Sequence, residues 1–371
     1  MKLIRKISYI FLAFFAICTV MFLTSADITS ARFLNRTVCQ FARSSLAAAT
    51  SLLPFSVFEA LIILSPVFLV FIFRYIFKAS VCNMRKRFVA VLSLLSLFPS
   101  FYILTLGISY RAPSPVQLKN GEVTEDELIS SAEYLASSIS EISDYIIEAP
   151  SMPELRDELS RSYSSNLADC GYNGQKFPLP KKVVFSKALS YIGSLALYSF
   201  PTGEVNINTE IPEYTVPFTV AHEYAHFIGI ASERDANFFA FVACVNSKSK
   251  YVKYSGLMSG LEYLLSDIYK TDRESYFSIL STLPMRATFD IDLYKQYSMK
   301  YKDSFIFHAS DKLNSAHLDL WDECGKHSYS LVTRCIVEYL NKSGSFRIKC
   351  SETTVFRSEK WDDLLYTGAK L

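Results

Sequence analysis

The apolar positions of this 371-residue chain fall into two regimes. Three runs near the N-terminus stay apolar on every face: residues 7–26 carry no charge, 52–73 carry only Glu59, and 88–110 carry none. Each has about 20 residues or more, enough to cross a hydrocarbon layer of about 30 Å. A globular surface helix keeps one polar face instead. The pattern predicts a transmembrane helix within 1–26, a link over 27–51, a second span over 52–73, a link over 74–87 and a third span over 88–110. The first span reads as a signal anchor, with a cleaved signal peptide as the alternative, because Lys2, Arg5 and Lys6 precede it and small residues follow. Pro99 is expected to kink the third span without breaking it. Glu59 is expected at the outer headgroups.

From Arg111 onward the pattern becomes amphipathic, and residues 111–371 are enough for one domain with a sizeable core. Thr124-Glu125-Asp126-Glu127 forms a capping box that opens a helix. Leu128, Ala132, Leu135, Ile139, Ile142 and Ile146 follow as one apolar stripe, ended by Pro150 and Pro153. Further helices are predicted over 154–167, 186–194, 218–229, 233–245, 256–268, 285–312 and 328–340. Residues 182–185, 195–200 and 204–211 read as strands. In the last of these, Val205, Ile207 and Ile211 alternate against Glu204, Asn206 and Asn208. The fold class is therefore α+β, mostly helical, with three N-terminal spans and a small sheet.

Charge then sets orientation. Lys2, Arg5 and Lys6 flank the first span, and Arg74, Lys78, Arg85, Lys86 and Arg87 crowd the 74–87 link. The 27–51 link holds Arg32, Arg36 and Arg43, fewer per residue. The positive-inside rule places the N-terminus and second link in the cytoplasm, and everything after Tyr110 outside it. Across the chain 38 basic and 36 acidic residues leave +2, so no global basic field points to nucleic acid. The 8 cysteines contain no CxxC pair. Cys324, Cys335 and Cys350 are candidates for a bridge in an oxidising exterior, and Cys244 reads as a buried thiol.

The chemistry concentrates in His222-Glu223-Tyr224-Ala225-His226. With 5 histidines in the chain, a chance H-E-x-x-H is expected in well under about one in a hundred chains of this length. On a helix, residues four apart lie one above the other, so both imidazoles meet the same ion. Glu223 lies about 100° around from His222, beside the ion, where a general base for attacking water should stand. A third protein ligand is needed. Gly229 allows a sharp turn, after which Glu233 and Asp235 are both candidates. They lie about 200° apart on a helix and cannot face one ion together. Glu233 is the preferred ligand and Asp235 the alternative. Asn237, one turn after Glu233, can hold a ligand or His222 by a hydrogen bond. His308, His317 and His327 are the histidine alternatives.

Residues 201–208 (Pro-Thr-Gly-Glu-Val-Asn-Ile-Asn), 216–219 (Val-Pro-Phe-Thr), 221–229 around the pentad and 233–241 (Glu-Arg-Asp-Ala-Asn-Phe-Phe-Ala-Phe) together resemble a bacterial membrane family known as domain of unknown function 3810. The resemblance spans nearly the whole chain and is strongest over 182–265. Lys253-Tyr254-Ser255-Gly256 and Gly325-Lys326-His327-Ser328-Tyr329 are similar to its later motifs. It implies three N-terminal membrane helices and an outer zinc-peptidase-like domain. More distantly, Glu233-x-x-Ala236 followed by Asn237 is similar to the Glu-x-x-Ala-Asp of gluzincin membrane peptidases. Asn237 stands where those have Asp, and the gap from His226 to Glu233 is much shorter.

The expectation is a membrane-anchored zinc metallopeptidase acting on an envelope peptide or protein, with the lipid bilayer as partner and no nucleic acid. One Zn2+ would sit on His222, His226 and Glu233, with Glu223 as general base. The 204–211 strand is either an edge that an extended substrate extends or an internal strand, and Glu204, Asn206 and Asn208 are candidates to line the cleft. His327 or Tyr329 is a candidate donor to a developing oxyanion. Two rivals stand beside this: a non-catalytic envelope scaffold with a structural or vestigial zinc, and an intramembrane protease. Glu210, Glu213, Glu233 and Arg234 interrupt the apolar surroundings and disfavour the latter.

Overall fold

A computed structural model describes residues 2–78, 81–116, 118, 123–146, 148–166, 175–319 and 327–341. The N-terminal, apolar part begins with helix α1 (Lys2–Thr24). The link that follows is itself helical: α2 (Ile28–Leu34), a π-helical turn over Asn35–Cys39, and α3 (Gln40–Thr50). Then come α4 (Val57–Phe77), α5 (Val81–Leu95) and α6 (Leu97–Tyr102), the last continuing into a π turn at Ile103–Gly107. Three stretches, Arg5–Thr24, Val57–Phe77 and Asn83–Arg111, are long and apolar enough to span a membrane. The expected kink without a break is present. The helix is irregular at Ser96, just ahead of Pro99, but Ser96 keeps right-handed helical backbone, and the Ser96 N–H to Leu92 O and Ser100 N–H to Ser96 O bonds carry the helix through.

The remaining part is built from α7 (Glu125–Ser143), α8 (Met152–Asn166), β1 (Lys181–Lys182), α9 (Ser186–Tyr191), β2 (Ala196–Ser199) and β3 (Glu204–Ile207). After these come α10 (Val216–Phe227), α11 (Glu233–Val245), α12 (Lys250–Thr271), α13 (Arg273–Thr282), α14 (Met285–Lys302), α15 (Phe305–Asp319) and α16 (His327–Asn341). Both bonds of the Thr124/Glu127 capping box are present. Leu128, Ala132, Leu135 and Ile139 are buried, and α7 packs along α12. Truncating Leu135 there is worth about 2–5 kcal/mol. Gly256 and Gly260 let α12 lie close against α11, since a Cβ at either would overlap Cys244 or the Phe241 ring. The single helix expected over 285–312 is divided at Asp303–Ser304 into α14 and α15, and α13 was not anticipated.

The sheet has the order β1-β3-β2, with β1 parallel and β2 antiparallel to β3. β3 is therefore central, and the edge considered on 204–211 lies on β2 instead. Gly203, at φ +70°, closes the β2–β3 turn directly on α3, where a Cβ would overlap the Ala47 backbone. Glu204 accepts from the N–H groups of Val57 (3.0 Å) and Phe58 (2.8 Å) and pairs with Lys181 at 2.6 Å. It thus caps the N-terminus of α4, where an anion is favoured. Glu59 accepts from Val184 N–H (3.1 Å) and Phe185 N–H (2.7 Å). The acid expected at the headgroups is a bracket between span two and the sheet.

Cys18, Cys39, Cys244 and Cys335 are buried free thiols. Cys335 therefore takes no part in the bridge considered above; Cys324 and Cys350 lie outside the described residues. Burial raises the thiol pKa of Cys335 to about 12.

A buried acid fastens α8 to the turn between α11 and α12. Glu158 accepts from Ser247 Oγ (2.6 Å), Lys248 N–H (2.7 Å) and Ser249 N–H (3.2 Å), and pairs with Arg161 at 2.6 Å. Burial opposes its charge, but these donors outweigh burial and hold the carboxyl down at about 2. Its folded value lies below the unfolded value of about 4.3, so its stabilisation is full above that pH and is lost as pH falls through it toward 2. Glu158→Gln should cost about 1–3 kcal/mol at neutral pH, with the difference from wild type shrinking below pH 4. Denaturation of the detergent-solubilised chain across pH measures this; equal stability at pH 7 would remove the clamp from the account.

Candidate metal centre

Helix α10 forms because Pro217 stands in its first turn, where the missing N–H costs nothing, and no glycine or proline follows until Gly229. It is buried almost all round. Tyr163 Oη donates to Ala221 O at 2.5 Å, Tyr224 Oη donates to Pro178 O at 2.8 Å, and Phe177 stacks on Tyr224. The helix ends in a Schellman turn. Ile230 N–H bonds Ala225 O and Gly229 N–H bonds His226 O, both at 3.0 Å, with Gly229 at φ +91°. That turn brings Ile230 O to within 2.8 Å of His226 Nδ1. A carbonyl only accepts, so Nδ1 carries a proton and Nε2 is the atom turned toward Glu233.

The chain then turns at Ser232 into α11, whose first residue is Glu233. His222 Nδ1 meets Asn237 Oδ1 at 2.8 Å, which likewise turns Nε2 of His222 inward. The two Nε2 atoms are 3.0 Å apart. Glu233 Oε2 lies 3.2 Å from His222 Nε2, and Oε1 lies 3.4 Å from His226 Nε2. Two imidazole nitrogens and a carboxylate thus converge on one point, an arrangement that calls for positive charge there, a metal ion or, without one, a proton on a ring. Among the described residues this is the one group of ligand-type side chains that converges so. A tetrahedral centre with bonds of about 2.0–2.1 Å separates its ligand atoms by about 3.3–3.4 Å, so the donor set fits zinc. The imidazoles are about one-eighth exposed and Glu233 is 37% exposed, which leaves one side open.

Glu223 is buried on the neighbouring face of α10, and its Oε2 accepts from Tyr198 N–H of β2 at 2.5 Å. Burial pushes its carboxyl above the usual range. Burial works against protonation of His226, yet Glu233 and Glu223 outweigh it and raise the ring to about 9. A cation arriving at Nε2 must therefore displace a proton.

The structure brings His222, Glu223, His226, Glu233 and Asn237 together. Asp235 points elsewhere: it is buried against Arg234 at 2.7 Å and Ser114 Oγ at 2.5 Å. Glu204, Asn206 and Asn208 do not line this opening. Ser56 Oγ donates to Asn206 Oδ1 at 2.6 Å, tying it to span two, while Asn208 Nδ2 donates to Ser190 Oγ and Tyr297 Oη. All three are buried: both faces of β3 are covered at Glu204 and Asn206, and Asn208, just past the strand, is covered by α9 and α14. His317 Nε2 contacts Tyr110 Oη at 3.2 Å, and the His308 ring lies against Phe307, so neither joins the centre. His327 and Tyr329 start α16, and their side chains lie outside the described residues. Sequence reasoning missed Tyr198 and Ile230, which act through backbone atoms and leave no side-chain signal.

A family model described as "Protein of unknown function (DUF3810)" matches residues 34–337. No curated protein and no solved structure matches the chain.

Gly229→Ala should be costly on two counts. It forces an L side chain into positive φ, about 1–3 kcal/mol, and its Cβ overlaps Arg43 Nη2 and Asn35 Oδ1. A melting temperature within a degree of wild type would show that the turn is not needed.

Proposed function

The chain belongs to the family of proteins of unknown function DUF3810, and we propose that it is a membrane-anchored zinc-dependent metallopeptidase that hydrolyses peptide bonds outside the cytoplasm. The observation that carries this reading is the convergence of His222 Nε2, His226 Nε2 and the Glu233 carboxylate beside a buried Glu223. His222, His226 and Glu233 hold the ion, and Asn237 and Ile230 O keep the rings turned toward it. When bound, zinc supplies Lewis acidity to a carbonyl and acidifies a water at the position left open. Glu223 takes the proton of the attacking water and passes it to the leaving amine. Its raised pKa suits a base that must also act as an acid.

Strand β2 supplies the main chain that holds the proposed base. In the antiparallel register Leu197 faces Asn206 and Ser199 faces Glu204, and Gly203 N–H and Asn208 N–H bond Ser199 O and Leu195 O. Alternation then turns the main-chain groups of Tyr198 away from β3, toward α10 and Glu223. Residues on this side contact the ends of the spans. Glu204 caps α4 at the second span, Thr105 Oγ1 of the third donates to Phe200 O, and the third ties to the first where Arg111 donates to Phe22 O. With the basic links this supports an N-terminus in the cytoplasm, a multi-pass membrane location and a zincin-like domain outside. The substrate class is an envelope peptide or protein.

Two variants test the reading. Glu223→Gln should bind zinc with wild-type affinity and lose peptide hydrolysis by about 10³-fold or more, as removal of a general base and its charge demands. Asn237→Ala should weaken zinc by about 10–100-fold, read by chelator competition. A wild type that binds zinc yet cleaves no member of a diverse peptide library would favour the scaffold reading. Retained hydrolysis in Glu223→Gln would remove the proposed base.

A further inference from the structure

The turn after α10 is held by a buried cation that comes from the link between the first two spans. Arg43 on α3 is completely buried. Its Nη1 donates to Thr105 O (3.1 Å) and Ser109 Oγ (3.2 Å), at the outer end of span three. Its Nη2 donates to Asn35 O and Asn35 Oδ1, both at 3.0 Å, and to Gln40 Oε1 at 2.9 Å; Nε also reaches Gln40 Oε1 at 3.2 Å. Asn35 then donates from Nδ2 to Gly229 O at 2.8 Å. Gly229 and Ile230 are the residues of the Schellman turn, and Ile230 O orients His226. Three hydrogen bonds thus separate the guanidinium from a ligand ring.

A buried guanidinium costs several kcal/mol in desolvation, and an apolar residue of similar volume often serves stability as well or better. The planar fork does what an apolar residue cannot: it gathers acceptors from α3, the π turn and span three around one point. That point abuts Gly229 so closely that a Cβ would overlap it. We propose that Arg43 and Asn35 are positioning residues for the metal centre, fixing the Ile230 carbonyl and with it the His226 ring. The centre is therefore completed by the 27–56 segment and by the outer end of span three. This rests on the metal reading above.

The test uses the full chain in detergent, loaded with Zn2+ for affinity and with Co2+ for its visible spectrum. Asn35→Asp keeps an acceptor for Arg43 and removes the donor to Gly229 O. Arg43→Met removes the hub while conserving volume. Both should raise the zinc Kd about 10–100-fold and change the cobalt spectrum, and Arg43→Lys should not restore either. Thr50→Val provides the contrast: it breaks another tie between link and sheet, to Thr202 O, and should leave affinity and spectrum unchanged. Folded Asn35→Asp and Arg43→Met chains with wild-type Kd and spectrum would overturn the proposal, as would equal losses in Thr50→Val. Should Asn35→Asp alone fold, its Kd decides. A wild type that takes up no metal would instead overturn the metal reading itself, and this inference with it.

Discussion

The constraint on which the rest depends is electrostatic. Two imidazole nitrogens and a carboxylate face one point within 3.0–3.4 Å of each other. Without a positive charge between them they repel, and the raised pKa of His226 is the metal-free answer to that repulsion. Holding such a group together requires that neither ring can turn away. The fold meets this with acceptors behind each ring: Asn237 Oδ1 for His222 and Ile230 O for His226. One acceptor is a side chain on the next helix, and the other is a carbonyl aimed by a helix-ending turn. Each needs a neighbouring element to be in register to within a fraction of an ångström.

That requirement explains how the helices around the centre are used. α11 supplies Glu233 at its first position and Asn237 one turn later, so a single helix furnishes a ligand candidate and a ring support. Gly256 and Gly260 bring α12 against α11 closely enough to fix its axis. Glu158 ties the α11–α12 turn to α8. On the other side, β2 holds Glu223 by a main-chain N–H, which keeps the acid from swinging into the cluster.

The apolar N-terminal helices are part of the same structure. Glu204, Glu59, Asn35 and Thr105 all make polar contacts between those segments and the sheet or the α10 turn. Several are buried, where a broken hydrogen bond is expensive. The part from α7 onward is therefore seated on the ends of the apolar helices through the folded 27–56 link, and the candidate centre lies close to that seat.

Local pattern alone determined much of this. Apolar run length gave the three candidate spans, the Thr124/Glu127 pair gave the start of α7, and the His222/His226 spacing gave two rings on one helical face, because each depends on chain geometry within a few residues. The sequence also narrowed the third ligand to two acids about 200° apart on a helix. Only the tertiary structure separates the two acids in space: the path after Gly229 turns Glu233 toward the rings and buries Asp235 against Arg234 and Ser114. It likewise took Glu204, Asn206 and Asn208 out of the expected cleft, since alternation reveals that residues share a face but not what covers that face. Arg43 read as a link charge and became a buried hub. Its partners lie as far as 66 positions away along the chain, and contacts at that separation are set by packing, which no local periodicity encodes.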